Sequence, residues 1–148
     1  MRNIRDIVRQ FMPESALDRS VVDISSAHLG SDERTNLTRR IFESATKPIG
    51  ELTTADIVTM LRQNVGGDLA LALALMIISD EPLICGDSYS GDILKLTLER
   101  DWPAWLRTEQ FGVDPYWLVS SVESTVSGLR TLTDELEDAF KKNFSTIG

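Results

Sequence analysis

The longest apolar run in the chain covers residues 69–78 and reads LALALALMII. Leucine, alanine and methionine favour helix and few of these residues are β-branched, so the run predicts a helix rather than a strand. A helix without a polar face must be enclosed by other elements. Ten residues, bracketed by Asp68 and Asp80, fall short of the roughly 20 needed to cross a bilayer. The run therefore predicts the core helix of a soluble domain.

The preceding residues predict a second helix that pairs with the apolar one. Thr53 and Asp56 have the T-x-x-D spacing of a capping box, and Leu52 can pack against Ile57 as a hydrophobic staple. The glycine pair 66–67 ends this helix and lets the chain reverse. The two helices form a predicted hairpin.

Two more helices are predicted before the hairpin. Apolar residues at helical spacing, from Ile4 to Phe11, predict a short amphipathic helix over residues 2–12 that Pro13 ends. Residues 13–30 have no sustained period, and Val21, Val22 and Ile24 fit either a short extended piece or another helical turn. Ser31 is a predicted N-cap for a helix over residues 32–45. Its expected apolar face consists of Leu37, Ile41 and Phe42. The helix is expected to end at Lys47-Pro48.

The C-terminal half is also predicted to be helical. Pro82 ends the apolar helix, residues 83–91 form a loop, and Asp92 is the expected cap of the next helix. Residues 101–106 break that helix and are expected to start a short one. Asp114-Pro115 has the N-cap and first-turn residues of a last helical region over 116–144. Gly128 could divide this region into two helices. Residues 133–135 would then start the second helix, whose apolar positions are Leu136, Phe140 and Phe144. The prediction is an all-α single domain of about six or seven helices around residues 69–78.

Composition narrows the function. The 148 residues contain 23 acidic and 15 basic side chains, for a net charge of −8 and a pI near 4.6. Such a surface repels nucleic acid and anionic lipid and attracts basic partners. One cysteine cannot form an internal disulfide, and the N-terminus lacks the apolar core of a secretory signal. We expect the protein to lie in the cytoplasm. We expect it to bind neither nucleic acid nor a membrane.

The sequence contains few residues that could form a catalytic site. His28 is the only histidine and is interpreted as a surface or capping residue, while Cys85 is interpreted as a small buried hydrophobe. The glycines at 66–67 lack the following Lys-Ser/Thr of a phosphate loop. No enzyme activity and no cofactor are predicted.

Carboxylates and tryptophans also have ordinary interpretations. Acidic pairs such as Glu135 and Asp138 fit the solvated face of an amphipathic helix. Residues 86–92 superficially resemble a calcium loop, but Leu98 stands where that loop closes with glutamate, so no metal is predicted. The tryptophans are expected to pack in the core or between helices: Trp102, Trp105 and Trp117.

An ordered set of motifs over about residues 34–107 resembles one family of immunity proteins of bacterial contact-dependent growth inhibition (CDI) systems. The motifs are GELTTADI at 50–57, LRQNVG at 61–66, the apolar helix closed by DEPL at 80–83, and GDSYSGDIL at 86–94. The departures are mild. Ser90 replaces the family's usual proline, Ile93 replaces leucine, and Gly67-Asp68 replaces more apolar turn residues.

The resemblance implies an antitoxin that binds and neutralises the C-terminal toxin domain of a surface effector, commonly a nuclease. The shared motif residues are interpreted as framework: Thr53, Asp56, Gly66, Gly91 and Asp92. The expected toxin-facing residues are exposed acids and one aromatic: Asp80, Glu81, Asp87, Tyr89, Glu135, Glu137 and Asp138. The main alternative is an acidic helical adaptor or regulatory protein for another basic partner. An enzyme would require a pocket joining His28 to carboxylates.

Overall fold

The predicted apolar helix lies at the centre of the fold. The computed structural model describes residues 3–25, 36–102, 108 and 112–147. Its α-helices are α1 (Ile4–Val8), α2 (Glu14–Leu17), α3 (Val21–Ser25), α4 (Asn36–Thr46), α5 (Thr54–Arg62), α6 (Gly67–Asp80), α7 (Asp92–Glu99) and α8 (Pro115–Ile147). A 3₁₀ turn, Ile49–Glu51, precedes α5. This part of the chain contains no strand, which confirms the all-α prediction.

Helix α6 is enclosed as its sequence requires. Each residue from 69 to 78 is at most 2% exposed. Helices α1, α3, α5, α7 and α8 all contact it. Because α6 has no polar face, this covering removes its apolar surface from water and supplies the main hydrophobic stabilisation of the fold.

The hairpin of α5 and α6 begins and turns as predicted. Thr53 Oγ1 accepts a hydrogen bond from the Asp56 N–H at 3.2 Å, and Asp56 Oδ2 accepts one from the Thr53 N–H at 2.9 Å. Gly66 then adopts φ +85°, and a Cβ there would lie 2.7 Å from Val21 Cγ1. Both the backbone angle and the close approach of α3 require glycine.

Helix α1 is shorter than predicted. Helix α1 ends at Val8, although Met12 beyond it is buried. Residues 14–17 form α2, and α3 contains Val21, Val22 and Ile24, for which an extended piece and a helical turn both fitted the sequence. These two short helices bring the described helices to eight, above the six or seven predicted.

Helix α4 confirms its predicted end, and its predicted apolar face is wrong at Phe42. It stops at Thr46, directly before Lys47-Pro48, whereas the expected N-cap Ser31 lies outside the described residues. Phe42 is exposed, contrary to the prediction, while Ser44 and Ala45 are buried. Ile41 is half-buried on the same side as these small residues, whereas Phe42 lies outside that face, and the side chain of Leu37 lies outside the described part of the chain.

Helix α8 is longer and less enclosed than predicted. Asp114 Oδ1 accepts a hydrogen bond from the Tyr116 N–H at 3.0 Å, which confirms the predicted cap. Gly128 does not divide the helix. Leu118 and Val122 are buried, and Thr125 Oγ1 donates to the Ser79 carbonyl at 3.3 Å. Residues 130–143 are all exposed, so the C-terminal half of α8 leaves the body of the protein.

The described tryptophans lie at the edge of the fold. Trp102 Nε1 donates to the Thr97 carbonyl at 2.8 Å, and Trp117 packs on Phe11 with ring centroids 4.8 Å apart. Both are partly exposed and so lie outside the core, while their contacts with Thr97 and Phe11 agree with the predicted packing against neighbouring elements. Trp105 lies outside the described residues.

Candidate functional site

The loop between α6 and α7 is organised by one buried carboxylate, that of Asp92. This residue is 1% exposed. Its Oδ1 accepts the Gly86 N–H at 2.6 Å, and its Oδ2 accepts the N–H groups of Asp87 and Ser88, both at 2.9 Å. The prediction that Asp92 is an N-cap is wrong, because Gly91 occupies that position and Asp92 is the first helical residue. Its side chain instead reaches back and fixes three consecutive loop amides.

The electrostatics of Asp92 favour the ionised form. Burial by itself would raise the pKa of Asp92, but the hydrogen bonds from the Ser88, Asp87 and Gly86 backbones outweigh it. The pKa therefore lies below its ordinary value of 3.8. The loop is thus held by a permanent negative charge at neutral pH.

Packing around Gly86 holds the other side of the loop. Thr54 Oγ1, at the start of α5, donates to the Gly86 carbonyl at 2.9 Å. A Cβ at Gly86 would overlap Val58 Cγ2 and approach Ile93 Cγ1 to 2.7 Å. The loop backbone is therefore fixed against α5 and α7 and cannot move outward without breaking these contacts.

This fixed backbone presents polar and aromatic side chains to solvent. Asp87, Ser88, Tyr89 and Ser90 are all exposed, Tyr89 to 48%. Asp87 Oδ2 lies 3.7 Å from Arg62 Nη1, an exposed ion pair that contributes little stability. We call residues 86–91 the presentation loop. Two of the expected toxin-facing residues, Asp87 and Tyr89, lie on it.

The remaining expected residues form two further groups. Asp80 and Glu81 are half-buried at the C-terminal end of α6, where Gln10 Nε2 donates to Asp80 Oδ1 at 3.4 Å. Glu135, Glu137 and Asp138 are exposed on the projecting part of α8. Thr125 contacts α6 at Ser79, and each helical residue adds about 1.5 Å, so Glu135 lies roughly 15 Å further along α8. The structure therefore separates the acids of α8 from those near the loop.

Asp56 has a structural role, in agreement with its motif. Its carboxylate accepts hydrogen bonds from Ser44 Oγ at 2.7 Å and Lys47 Nζ at 2.8 Å, in addition to the Thr53 N–H. Burial by itself would raise the pKa of Asp56, but the bonds from Lys47, Thr53 and Ser44 lower it below 3.8. The capping box thereby also ties α4 to α5.

The candidate catalytic residues do not form a site among the described residues. His28 lies outside them, and within them no three His, Cys, Asp or Glu side chains are grouped as metal ligands would be. Cys85 is a free thiol on an exposed loop position, so the prediction that it is buried is wrong. Its backbone pairs with that of Ser90 across the loop.

One polar cavity was not predicted. It has a volume of about 360 Å³ and is lined by Leu61, Asn64, Leu96, Arg100 and Asp101. Arg100 Nη2 donates to Asn64 Oδ1 at 2.6 Å, while the buried Nη1 of the same guanidinium has no hydrogen-bond partner among the residues that the structure describes. No sequence signal identifies it, because Asn64 and Arg100 are 36 residues apart and meet only in the fold.

Among the described residues, no helix is both long enough and apolar enough to span a membrane.

Comparison with known families agrees with the motif resemblance. A family model described as CDI immunity proteins matches residues 23–111, which include the hairpin, the presentation loop and α7 but not α8. A comparison with curated proteins finds no match, and a comparison with solved structures finds none either. The matched region covers more than half of the sequence and contains the Asp92-anchored loop. The chain belongs to the family of CDI immunity proteins.

Proposed function

We propose that this immunity protein binds and neutralises the toxin domain of a CDI effector, and that the toxin is a nuclease with a basic substrate-binding surface. The observation that carries the proposal is the presentation loop, which lies inside the matched family region. Its backbone is fixed by the buried Asp92, while Asp87 and Tyr89 point to solvent. A fixed loop loses little conformational entropy when it binds a partner.

The chemistry of this surface suits a nuclease. A nuclease must present cations to the phosphates of its substrate, and a protein of charge −8 is attracted to such a surface. In the proposal, the carboxylates of Asp80, Glu81 and Asp87 occupy positions that substrate phosphates would take. Tyr89 supplies an aromatic anchor of the kind enriched at interface hot spots. Glu135, Glu137 and Asp138 add acidic surface on α8, at a distance from the loop.

The decisive experiment uses the C-terminal toxin domain of the cognate CDI effector. The purified toxin domain is incubated with RNA and with DNA, with and without the full immunity protein, and cleavage and complex formation are measured. We expect a stable complex and loss of cleavage. Lack of binding, or full toxin activity in the presence of saturating immunity protein, would refute neutralisation. A toxin that cleaves neither nucleic acid would refute only the nuclease assignment.

Point variants test the surface itself. Asp87→Ala combined with Tyr89→Ala is expected to weaken the complex by about 2 kcal/mol or more, which is a hot-spot effect. The matched control is Glu123→Ala combined with Tyr116→Ala, because both residues are exposed on α8 outside the loop. Equal losses in the two double variants would contradict the assignment of the loop as the contact surface.

A further inference from the structure

The end of α8 carries an apolar stripe that lies outside the core. Leu132, Leu136 and Phe140 are 49%, 61% and 67% exposed, and their four-residue spacing places them on one face of the helix. A contiguous apolar surface of this kind marks an interaction site. Residues 130–143 form about four exposed turns, and an isolated helix of this length is only marginally stable in water.

We propose that this stripe pairs two copies of the chain, with their α8 ends antiparallel and centred near Ala139. In this register Leu136 of one copy lies beside Phe140 of the second copy, and the reverse contact follows from the twofold axis. The small side chain of Ala139 lets the two helices approach closely at the centre.

The charges beside the stripe fit the same register. With 3.6 residues per turn, Glu135 and Lys142 lie on one flank of the stripe, and Glu137 and Lys141 lie on the other. The distance of 3.3 Å between Glu137 and Lys141 within one chain shows that these exposed side chains can form ion pairs. In an antiparallel pair, equivalent flanks face each other. Glu135 then faces Lys142 of the second copy, and Glu137 faces Lys141.

Other arrangements fit less well. A parallel pair brings opposite flanks together at the same level, which sets Glu135 against Glu137 and Lys142 against Lys141. Like charges at these positions are destabilising. A cationic toxin would be attracted to the carboxylates but repelled by the two lysines. The mixed pattern is complementary to itself, and for this reason we assign the stripe to a second copy. The inference does not depend on the proposed function.

Sedimentation equilibrium of the full chain over a concentration series tests the pairing. We expect the mass to rise from 16.5 kDa to twice that value. Leu136→Gln combined with Phe140→Gln is expected to leave a monomer. Glu135→Lys combined with Glu137→Lys is expected to raise the dissociation constant about tenfold or more, since each reversed residue meets a lysine. Adding Lys141→Glu and Lys142→Glu to this variant restores opposite charges and is expected to restore the dimer.

The matched control is Glu43→Lys combined with Glu123→Lys. It changes the net charge by the same amount at exposed positions outside the projecting half of α8, so the dissociation constant is expected to stay within about twofold of the wild type. A wild-type chain that remains monomeric at every concentration would overturn the proposal. So would equal weakening by the control, or a failure of the charge-swapped variant to recover.

Disulfide cross-linking tests the orientation in a Cys85→Ser background. Ala139→Cys places the two thiols next to each other at the centre of the pair. Thr133→Cys places them roughly 18 Å apart along the helices in the antiparallel register, beyond the Cα separation of about 7 Å that a disulfide tolerates. We expect a covalent dimer from the first variant only. Cross-linking of both variants would indicate a parallel pair, and cross-linking of neither would overturn the register.

Discussion

At the scale of single residues, the most consequential side chain is that of Asp92. It is buried, charged and bonded to three consecutive backbone amides, and it shapes the loop that presents Asp87 and Tyr89. A buried carboxylate is costly unless its oxygens are satisfied by donors. Here the donors come from the loop itself, so the loop conformation and the ionised carboxylate stabilise each other.

Asp92→Asn is expected to lower the free energy of unfolding by about 2 to 4 kcal/mol, because the amide loses the charge and replaces one acceptor oxygen with a donor that faces loop N–H groups. Urea denaturation at neutral pH measures the change. The matched control is Asp87→Asn, which alters an exposed carboxylate of the same loop and is expected to change stability by less than about 0.5 kcal/mol. Equal effects of the two substitutions would contradict the anchoring role.

Acid is expected to destabilise the fold through Asp92 and Asp56. Both have a folded-state pKa below the ordinary value of 3.8, so their contribution is fully present above that value. It is lost as pH falls from about 3.8 through the lower folded-state pKa of each group. Urea denaturation at successive pH values below 5 should show this decline. The double variant Asp56→Asn with Asp92→Asn should show a shallower dependence, and an unchanged slope would contradict the assignment.

At the scale of helices, local signals in the sequence were sufficient where local contacts decide the structure. The capping box at Thr53, the turn at Gly66 and the start at Asp114 depend on neighbouring residues, and all three were predicted correctly. Phe42 and Cys85 were assigned incorrectly because burial depends on which elements pack nearby, which the local sequence does not specify. The presentation loop was recognised as a motif, but the reach of Asp92 back to residues 86–88 required the fold.

The two halves of α8 are expected to contribute very differently to stability. Ending the chain after Gly128 removes only partly or fully exposed side chains from the described part of the helix, so the remaining body should unfold within about 1 kcal/mol of the full chain when both are monomeric. By contrast, Leu118→Ala in the buried half is expected to cost about 2 to 5 kcal/mol. Denaturant unfolding at low protein concentration measures both. A large loss on truncation would show that the projecting half packs on the body.

At the scale of the whole molecule, the helical body acts as a rigid support for two surfaces. The enclosed α6 joins the elements around it, and the presentation loop is fixed against α5 and α7. The family match covers α4 to α7 and the presentation loop, whereas α8 lies beyond it. We therefore expect two separate interfaces: the presentation loop contacts the proposed toxin, and the projecting part of α8 pairs two copies of the chain. A dimer would then expose two presentation loops, one on each chain, and each loop would keep the acidic surface that surrounds it in a single chain.

Electrostatic attraction should govern how fast the proposed toxin associates with this protein. A chain of charge −8 steers a basic partner over distances comparable with the Debye length, which is about 10 Å at 0.1 M salt. Stopped-flow measurements over a salt series should therefore show an association rate that falls about tenfold or more, with a much smaller change in dissociation. A triple variant near the loop, Asp80→Asn with Glu81→Gln and Asp87→Asn, should reduce this salt dependence. The matched control removes the same number of charges from α8: Asp134→Asn with Glu135→Gln and Asp138→Asn. If the toxin docks at the loop, the control should reduce the salt dependence less. An association rate independent of salt would argue against steering, and a larger effect of the α8 set would place the toxin on the projecting helix instead.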